Sequence, residues 1–427
     1  MWTALIVTLS LFAPPKATAC ETDVEFALVE LEKRCGHFFE TKKIDWKAVA
    51  TKIRAKAKYA STQSEHYGVL LHLITELRDG HSSVIPIGEA KDVKPPEEFA
   101  VERIEPSFHL CRNGTKFLVK ACWGPSTKVG LAPGLEITRV NGKPALQWFT
   151  DHLQYWREHG SFSTEQHAAT YALTRGLAFE KGKGLEIEVK RKVGTKSFEF
   201  TPNSSDGRRV GPAVPFDGAA EKNGLLVGRN KDGIGYIHVP KVYDDLPQRL
   251  DDALGSLGSL KGLILDFRGN TGGGCDHDAV LGLFVAKGKT MNRPDAGPIA
   301  SHGEHPYAGN LVAIVDSMVV SAGETVSGMF KEDGRGYLIG EGPTAGMSGS
   351  KEDLDLPSGL FKLHFVVRSN KARFQGGKGI EGIGIQPHEV VPYDAKDLEK
   401  EIDTLTARAI ALLKAFPKDK VPYESAQ

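Results

Sequence analysis

A chain of 427 residues is too long for one ordinary domain and predicts two or three. With 40% hydrophobic and 25% charged residues it has the composition of folded globular domains, which excludes wholesale disorder. Lys+Arg and Asp+Glu each number 54, so the net charge is zero and a role built on nucleic acid, which needs basic surface, is excluded as the main one.

The first strongly apolar run covers residues 4–12 and is followed by Ala17-Thr18-Ala19, a small-x-small site of the kind a signal peptidase cuts. The usual basic stretch before the run is missing, since the first lysine is Lys16. Residues 1–19 are read as a signal peptide rather than as a strand or helix of the fold, which places the mature chain in a periplasmic or extracellular compartment. It would begin at Cys20; a lipid anchor there is the weaker alternative to simple cleavage. No later apolar run approaches the ~20 residues that span a bilayer. In an exported chain Cys20 with Cys35, and Cys111 with Cys122, are close enough in sequence to pair, leaving Cys275 over, although spacing does not establish connectivity. There is no Cys-x-x-Cys, so no structural zinc is expected.

Over 22–80 apolar residues recur at three- and four-residue steps (Val24, Leu28, Leu31; Trp46, Val49, Ile53; Leu70, Leu73, Leu77), which predicts helices. They end at Asp79-Gly80-His81, a glycine turn entering a strand, and a proline-containing linker follows over 86–99. Residues 100–200 alternate apolar and polar in short runs and predict strands. Within them Gly130-Leu131-Ala132-Pro133-Gly134 and Val140-Asn141-Gly142 mark two turns flanking a buried strand, and this resembles the core of a PDZ domain. Leu135 stands where that family often has aspartate, and no carboxylate-binding loop is evident, so peptide capture there is less supported than the fold. A second linker over 201–224 leads to alternating strands and helices over 225–395, including strands at 234–239, 262–267 and 311–315 and a helix at 246–260. Residues 397–416 read as one amphipathic helix.

Three segments carry candidate chemistry. Asp266 through Gly274 follows a buried strand, and its glycines let backbone N–H groups face a crevice. No Gly-Lys-Ser/Thr follows, which rules out a P-loop. The second, Ser321-Ala322-Gly323-Glu324, sits where a loop enters a helix: by itself it reads as a capping box, while the same helix N-terminus would also favour a developing oxyanion. The third runs through Gly346-Met347 to Glu381 and Gln386-Pro387.

In this order the three segments resemble the S41 family of serine peptidases, the tail-specific and tricorn-type proteases, from about residue 25 to 395. The resemblance implies Ser321 as nucleophile and an oxyanion hole from the backbone N–H groups of Gly272, Gly273 and Ala322. Met347 stands where one branch carries its catalytic lysine, and Lys351 is off that motif, so the lysine branch is disfavoured. The tricorn-like branch implies His81 as general base and Glu381 as its distant carboxylate, acting directly or through Ser82 or water. Gly80 replaces that branch's helper serine. Cys275-Asp276-His277-Asp278 and His302-Gly303-Glu304-His305 lack a recognised metal-ligand spacing, and no cofactor is expected.

The expected architecture is multidomain α+β: a helical domain over 20–95, a PDZ-like β-rich domain over 96–205, and an α/β peptidase core of ClpP/crotonase-like type over 206–427 with a C-terminal helix. The expected function is an exported serine endopeptidase acting on peptides or unfolded proteins; the alternative is a catalytically inactive member of that fold that binds a peptide or hydrophobic ligand.

Overall fold

The computed structural model describes residues 17–202 and 210–423; most of the expected signal peptide lies outside them. Helix α1 (Ala19–Cys35) opens with a capping box in which Thr18 Oγ1 accepts from Glu21 N and the Glu21 carboxylate answers the Thr18 N–H. Helices α2 (Trp46–Ala57) and α3 (Gln63–Glu76) follow, the latter with the same box between Thr62 and Glu65. The chain then turns through Asp79-Gly80-His81 into strand β1 (Ser83–Pro86).

The middle of the chain is an antiparallel sheet in the order β2 (Phe108–Asn113), β3 (Lys116–Cys122), β4 (Glu136–Val140), β5 (Leu185–Lys190) and β6 (Thr195–Phe200). Helices α4 (Ala145–His159) and α5 (Glu165–Leu173) bury Trp148, Phe149, Ala168 and Leu173 against it. The two glycine-rich turns do flank β4, with Gly134 at φ 84° and Asn141 at φ 48°.

The third unit is a seven-stranded sheet in the order β7 (Ala220–Lys222), β8 (Leu225–Arg229), β9 (Ile234–His238), β10 (Gly262–Asp266), β11 (Leu311–Val315), β12 (Tyr337–Gly340) and β15 (Glu389–Val390), parallel from β9 onward. Helices α6 (Leu246–Leu257) and α7 (Ala322–Glu332) cover one face. Alternate residues such as Tyr236, Ile264 and Ile314 point to the other. Burial on both faces explains the continuous apolar runs.

Several expectations change. Strand β14 (Phe361–Arg368) pairs with β1 on one side and with β13 (Ser350–Asp355) on the other, apart from the parallel sheet, so Leu354, Phe361, Leu363 and Phe365 complete the core of the N-terminal helices. The helical domain is therefore closed by a hairpin from the C-terminal half. The second linker packs in part, with Val210, Ala213 and Phe216 buried. The expected C-terminal helix is two, α8 (Ala395–Glu399) and α9 (Thr404–Lys414), because Asp403 caps α9 through Thr406 N and its carboxylate also reaches Arg268. No disulfide forms among the five cysteines. Cys20 and Cys35 stand near opposite ends of α1, and a helix rises about 1.5 Å per residue, too far for an S–S bond. Cys111 and Cys122 are out of register on paired strands, facing Leu118 and Phe108.

Beneath the end of β10, Arg268 is wholly buried. It pairs with Asp266 at 2.5 Å and Asp403 at 2.9 Å and donates to Tyr393 Oη and Thr406 Oγ1. Burial by itself would raise the Asp266 carboxyl, but the guanidinium holds it below the usual range. Arg268→Leu leaves two buried carboxylates unpaired and is expected to cost about 3–5 kcal/mol, read as a lowered urea midpoint. A midpoint unchanged from wild type would show that the cluster is solvated.

Candidate active site

The glycine loop leaves β10 and is held from two sides. Asp316, at the end of β11, accepts from Gly269 N at 3.0 Å. Thr271 N donates to Pro240 O, Val242 N to Gly272 O, and Gly274 N to Val242 O. Asn270, fully buried, donates to Val239 O and accepts from Gly272 N at 2.8 Å, while its carbonyl receives Val320 N. One asparagine thus locks β9, the loop and the approach to Ser321 together.

Ser321 precedes α7 with φ 56° and ψ −128°, a left-handed conformation that costs a non-glycine residue about 1–3 kcal/mol. Its N–H donates to Met347 O at 2.9 Å, and its Oγ forms no hydrogen bond among the described residues. The capping-box reading therefore fails at both ends. Glu324 does not return to the helix start; its buried carboxylate accepts from Thr344 Oγ1, Gly346 N and Met347 N at 2.5, 2.7 and 2.8 Å. Burial pushes this carboxyl up to about 8 against those three donors. Glu324 thereby holds the turn whose carbonyl fixes Ser321.

A Cβ on Gly272 would lie 2.7 Å from the Ser321 Cβ, so only glycine lets the loop back onto the serine. The expected oxyanion donors divide. Gly272 N–H is consumed by Asn270 Oδ1, which removes it from the set. The N–H groups of Gly273 and Ala322 have no acceptor among the described residues.

His81 is 13% exposed, with Nδ1 buried and without a hydrogen-bond partner. Asp79 Oδ1 lies 3.9 Å from that nitrogen and accepts the His81 backbone N–H at 3.0 Å. Asp79 Oδ2 accepts from Ser82 Oγ and Val366 N, so Ser82 serves Asp79. Burial first, and then Lys351, His364 and Lys42, lower His81 to about 4, against the pull of Asp79. The imidazole is neutral at pH 7. A Cβ on Gly80 would lie 2.5 Å from Met347 Sδ, so a side chain there must displace the end of that methionine.

Glu381 is not hydrogen-bonded to His81. Its Oε1 pairs with Lys42 Nζ at 2.7 Å and accepts from Ser163 Oγ; its Oε2 accepts from Ser348 N and Gly349 N. Direct orientation of His81 by Glu381 is thus replaced by a longer path, because Ser163 Oγ also accepts Gly80 N at 3.2 Å. Sequence reasoning missed Lys42, Asp79, Asn270 and Ser163. Asp79 was within reach, being two residues from His81 with the spacing of a local carboxylate turn. Lys42 carried no signal, since a lysine in a charged stretch reads as exposed.

Residues 233–391 match the model of peptidase family S41 and form a domain of that family. The chain is 28% identical over 226 residues to the tricorn protease of Thermoplasma acidophilum, covering 52% of this chain and 20% of that protein. It is 24% identical over 284 residues to the carboxy-terminal processing protease CtpA of Bacillus subtilis, covering 64% and 53%. The chain spans about a fifth of the length of the tricorn proteases it matches. The structure of mature CPAF complexed with lactacystin superposes with a TM-score of 0.66 at 13% identity, over 95% of this chain and 100% of that one. The mixed α/β multidomain fold is therefore similar to that of mature CPAF.

Burial raises the Glu381 carboxyl even beside Lys42. Without Lys42 the carboxyl must bind a proton to stay buried, a proton that the unfolded chain releases above about pH 4.3. A folded-state pKa raised in this way makes stability fall as pH rises. Lys42→Met is expected to cost about 3–5 kcal/mol at pH 8 and less at pH 5 in urea titrations. Equal losses at both pH values would mean that Glu381 carries no charge.

Proposed function

From this S41 domain we propose that the chain is an exported serine endopeptidase that hydrolyses peptides or unfolded proteins through an acyl-enzyme on Ser321. The observation that carries the reading is Ser321 itself: a helix-leading serine in a left-handed conformation that does not cap its helix and leaves Oγ unbonded beside a glycine loop. Structural serines at helix starts spend their hydroxyl on the cap.

In this reading His81 takes the Ser321 Oγ proton as the oxygen attacks the scissile carbonyl carbon. The tetrahedral oxyanion is met by Gly273 N–H and Ala322 N–H, the two donors without acceptors. Protonated His81 then gives its proton to the leaving amine as the C–N bond breaks. Water, deprotonated by the same imidazole, releases the acyl group and restores the serine. Asp79 is the positioning carboxylate for His81, supported by its 3.9 Å approach to Nδ1. Glu381 acts at one remove, holding Ser163 under the Gly80 turn and the 348–349 backbone beside Ser321. Export rests on the apolar run and the cleavage-type site. The PDZ-like reading rests on the paired turns around β4, and a preference for C-terminal regions on likeness to the carboxy-terminal processing protease.

A serine-reactive phosphonate is expected to label Ser321, and Ser321→Ala to abolish both labelling and peptide cleavage. His81→Ala should lower turnover about 10²–10⁴-fold. Since His81 works when neutral and its pKa is lowered to about 4, the acid limb of kcat/KM belongs near pH 4, not near the ~6.5 of free histidine. Cleavage that persists in Ser321→Ala would refute the nucleophile.

The two carboxylates separate by pH profile. Asp79 raises the His81 pKa, so Asp79→Asn should lower kcat and move the acid limb to still lower pH, while Glu381→Gln leaves the limb in place. The opposite pattern would make Glu381 the partner of His81.

A further inference from the structure

Beside the glycine loop lies a cavity of about 210 Å³ lined by Arg175, Pro240, Lys241, Tyr243, Gly269 and Thr271. Its walls come from two units. Arg175 follows α5 in the middle sheet domain, and the other five residues belong to the S41 domain. No acidic residue lines it. Both cations are exposed, and among the described residues neither has a carboxylate within ion-pair distance. Glu105, a carboxyl raised by burial, feels Arg175 without pairing with it, and Lys241 lies over the Tyr243 ring at 5.7 Å.

The position of Lys241 is set by the reaction loop. The residues on either side of it, Pro240 and Val242, hydrogen-bond to Thr271, Gly272 and Gly274. Arg175 and His81 both bear electrostatically on the buried His167, which lies between the two. Two cations without a carboxylate partner among the described residues therefore stand together beside Gly269 and Thr271 of the glycine loop. An arginine offers a planar fork and a lysine a point charge, a pairing suited to a carboxylate.

We propose that this cavity is a carboxylate subsite of the cleft, taking an aspartate or glutamate side chain, or a free C-terminal carboxylate, of the peptide cleaved at Ser321. The proposal rests on the peptidase reading and adds the substrate chemistry to it. The attraction is partly screened by solvent, so selectivity weakens as salt rises.

The test is a panel of fluorogenic peptides in which each position around the cleaved bond carries Glu or Gln, with a second set ending in a carboxylate or an amide. Wild type is expected to prefer Glu at one position, or the carboxylate ending, in kcat/KM. Arg175→Gln or Lys241→Gln should each cut that preference about fivefold. The double variant Arg175→Glu/Lys241→Glu should turn it toward Lys, which a merely structural role would not do. A preference for the carboxylate ending alone assigns the chain terminus as the ligand and also upholds the subsite. Cleavage without either preference, or preference untouched by all the variants, overturns it. If no peptide is cleaved and Ser321 resists labelling, the peptidase reading falls, and binding of the same peptides to Ser321→Ala decides the subsite. Selective binding lost in the Arg175→Gln/Ser321→Ala protein upholds it, and equal binding of Glu and Gln peptides overturns it.

Discussion

A lysine and a glutamate, each almost wholly buried, meet at 2.7 Å where three parts of the chain converge. Lys42 comes from the N-terminal helical region, Glu381 from the S41 domain, and Ser163 of the middle domain donates to the same carboxylate. A charge this deep is tolerated only when paired and fully hydrogen-bonded, so each partner compels the others to be present. From this junction the remaining contacts follow. Ser163 supports the Gly80 turn, Glu381 supports the backbone at 348–349, and these two segments place His81 and Ser321 on a common frame. Ser161 adds a further tie, accepting Asp79 N and donating to Ile74 O.

The serine has its own constraint. A left-handed Ser321 persists because its N–H is held by Met347 O, its carbonyl by α7, and its Cβ lies against a glycine that has none. Glu324 takes no part in capping; it is spent on the turn that presents Met347. Beneath this layer the Arg268 cluster fixes the start of the glycine loop, and Asp316 its next residue. Strain at the top is carried by buried polar contacts below, so the site belongs to the fold as a whole.

Burial sets the electrostatics of the histidine. Desolvation outweighs the nearby Asp79 and keeps the imidazole neutral, the form a general base needs. Asp79 is held close by a backbone N–H of His81 itself, whereas Glu381 is engaged by Lys42. The cations Arg175 and Lys241 stand outside this dry region, exposed at the solvent side of the glycine loop.

The amino-acid sequence by itself determined the local elements and the motif set. Periodicity marked the N-terminal helices and the buried parallel strands, because spacings of 3.6 and 2 and unbroken apolar runs depend on neighbouring residues alone. The glycine loop, Ser321 and the His81 turn could be singled out for the same reason, each being a short contiguous pattern, and their roles remain the proposal made above. Tertiary structure decided what depends on residues far apart. It moved the hairpin 350–368 onto the N-terminal helices and split the C-terminal helix at Asp403. It engaged the Gly272 N–H, one of the expected oxyanion donors, with Asn270, and gave Glu381 to Lys42 while leaving Asp79 beside His81. A Ser-x-x-Glu string is identical whether the glutamate caps its own helix or crosses to another loop. The choice between them is made by which buried donors the rest of the chain brings within 3 Å, here Thr344, Gly346 and Met347.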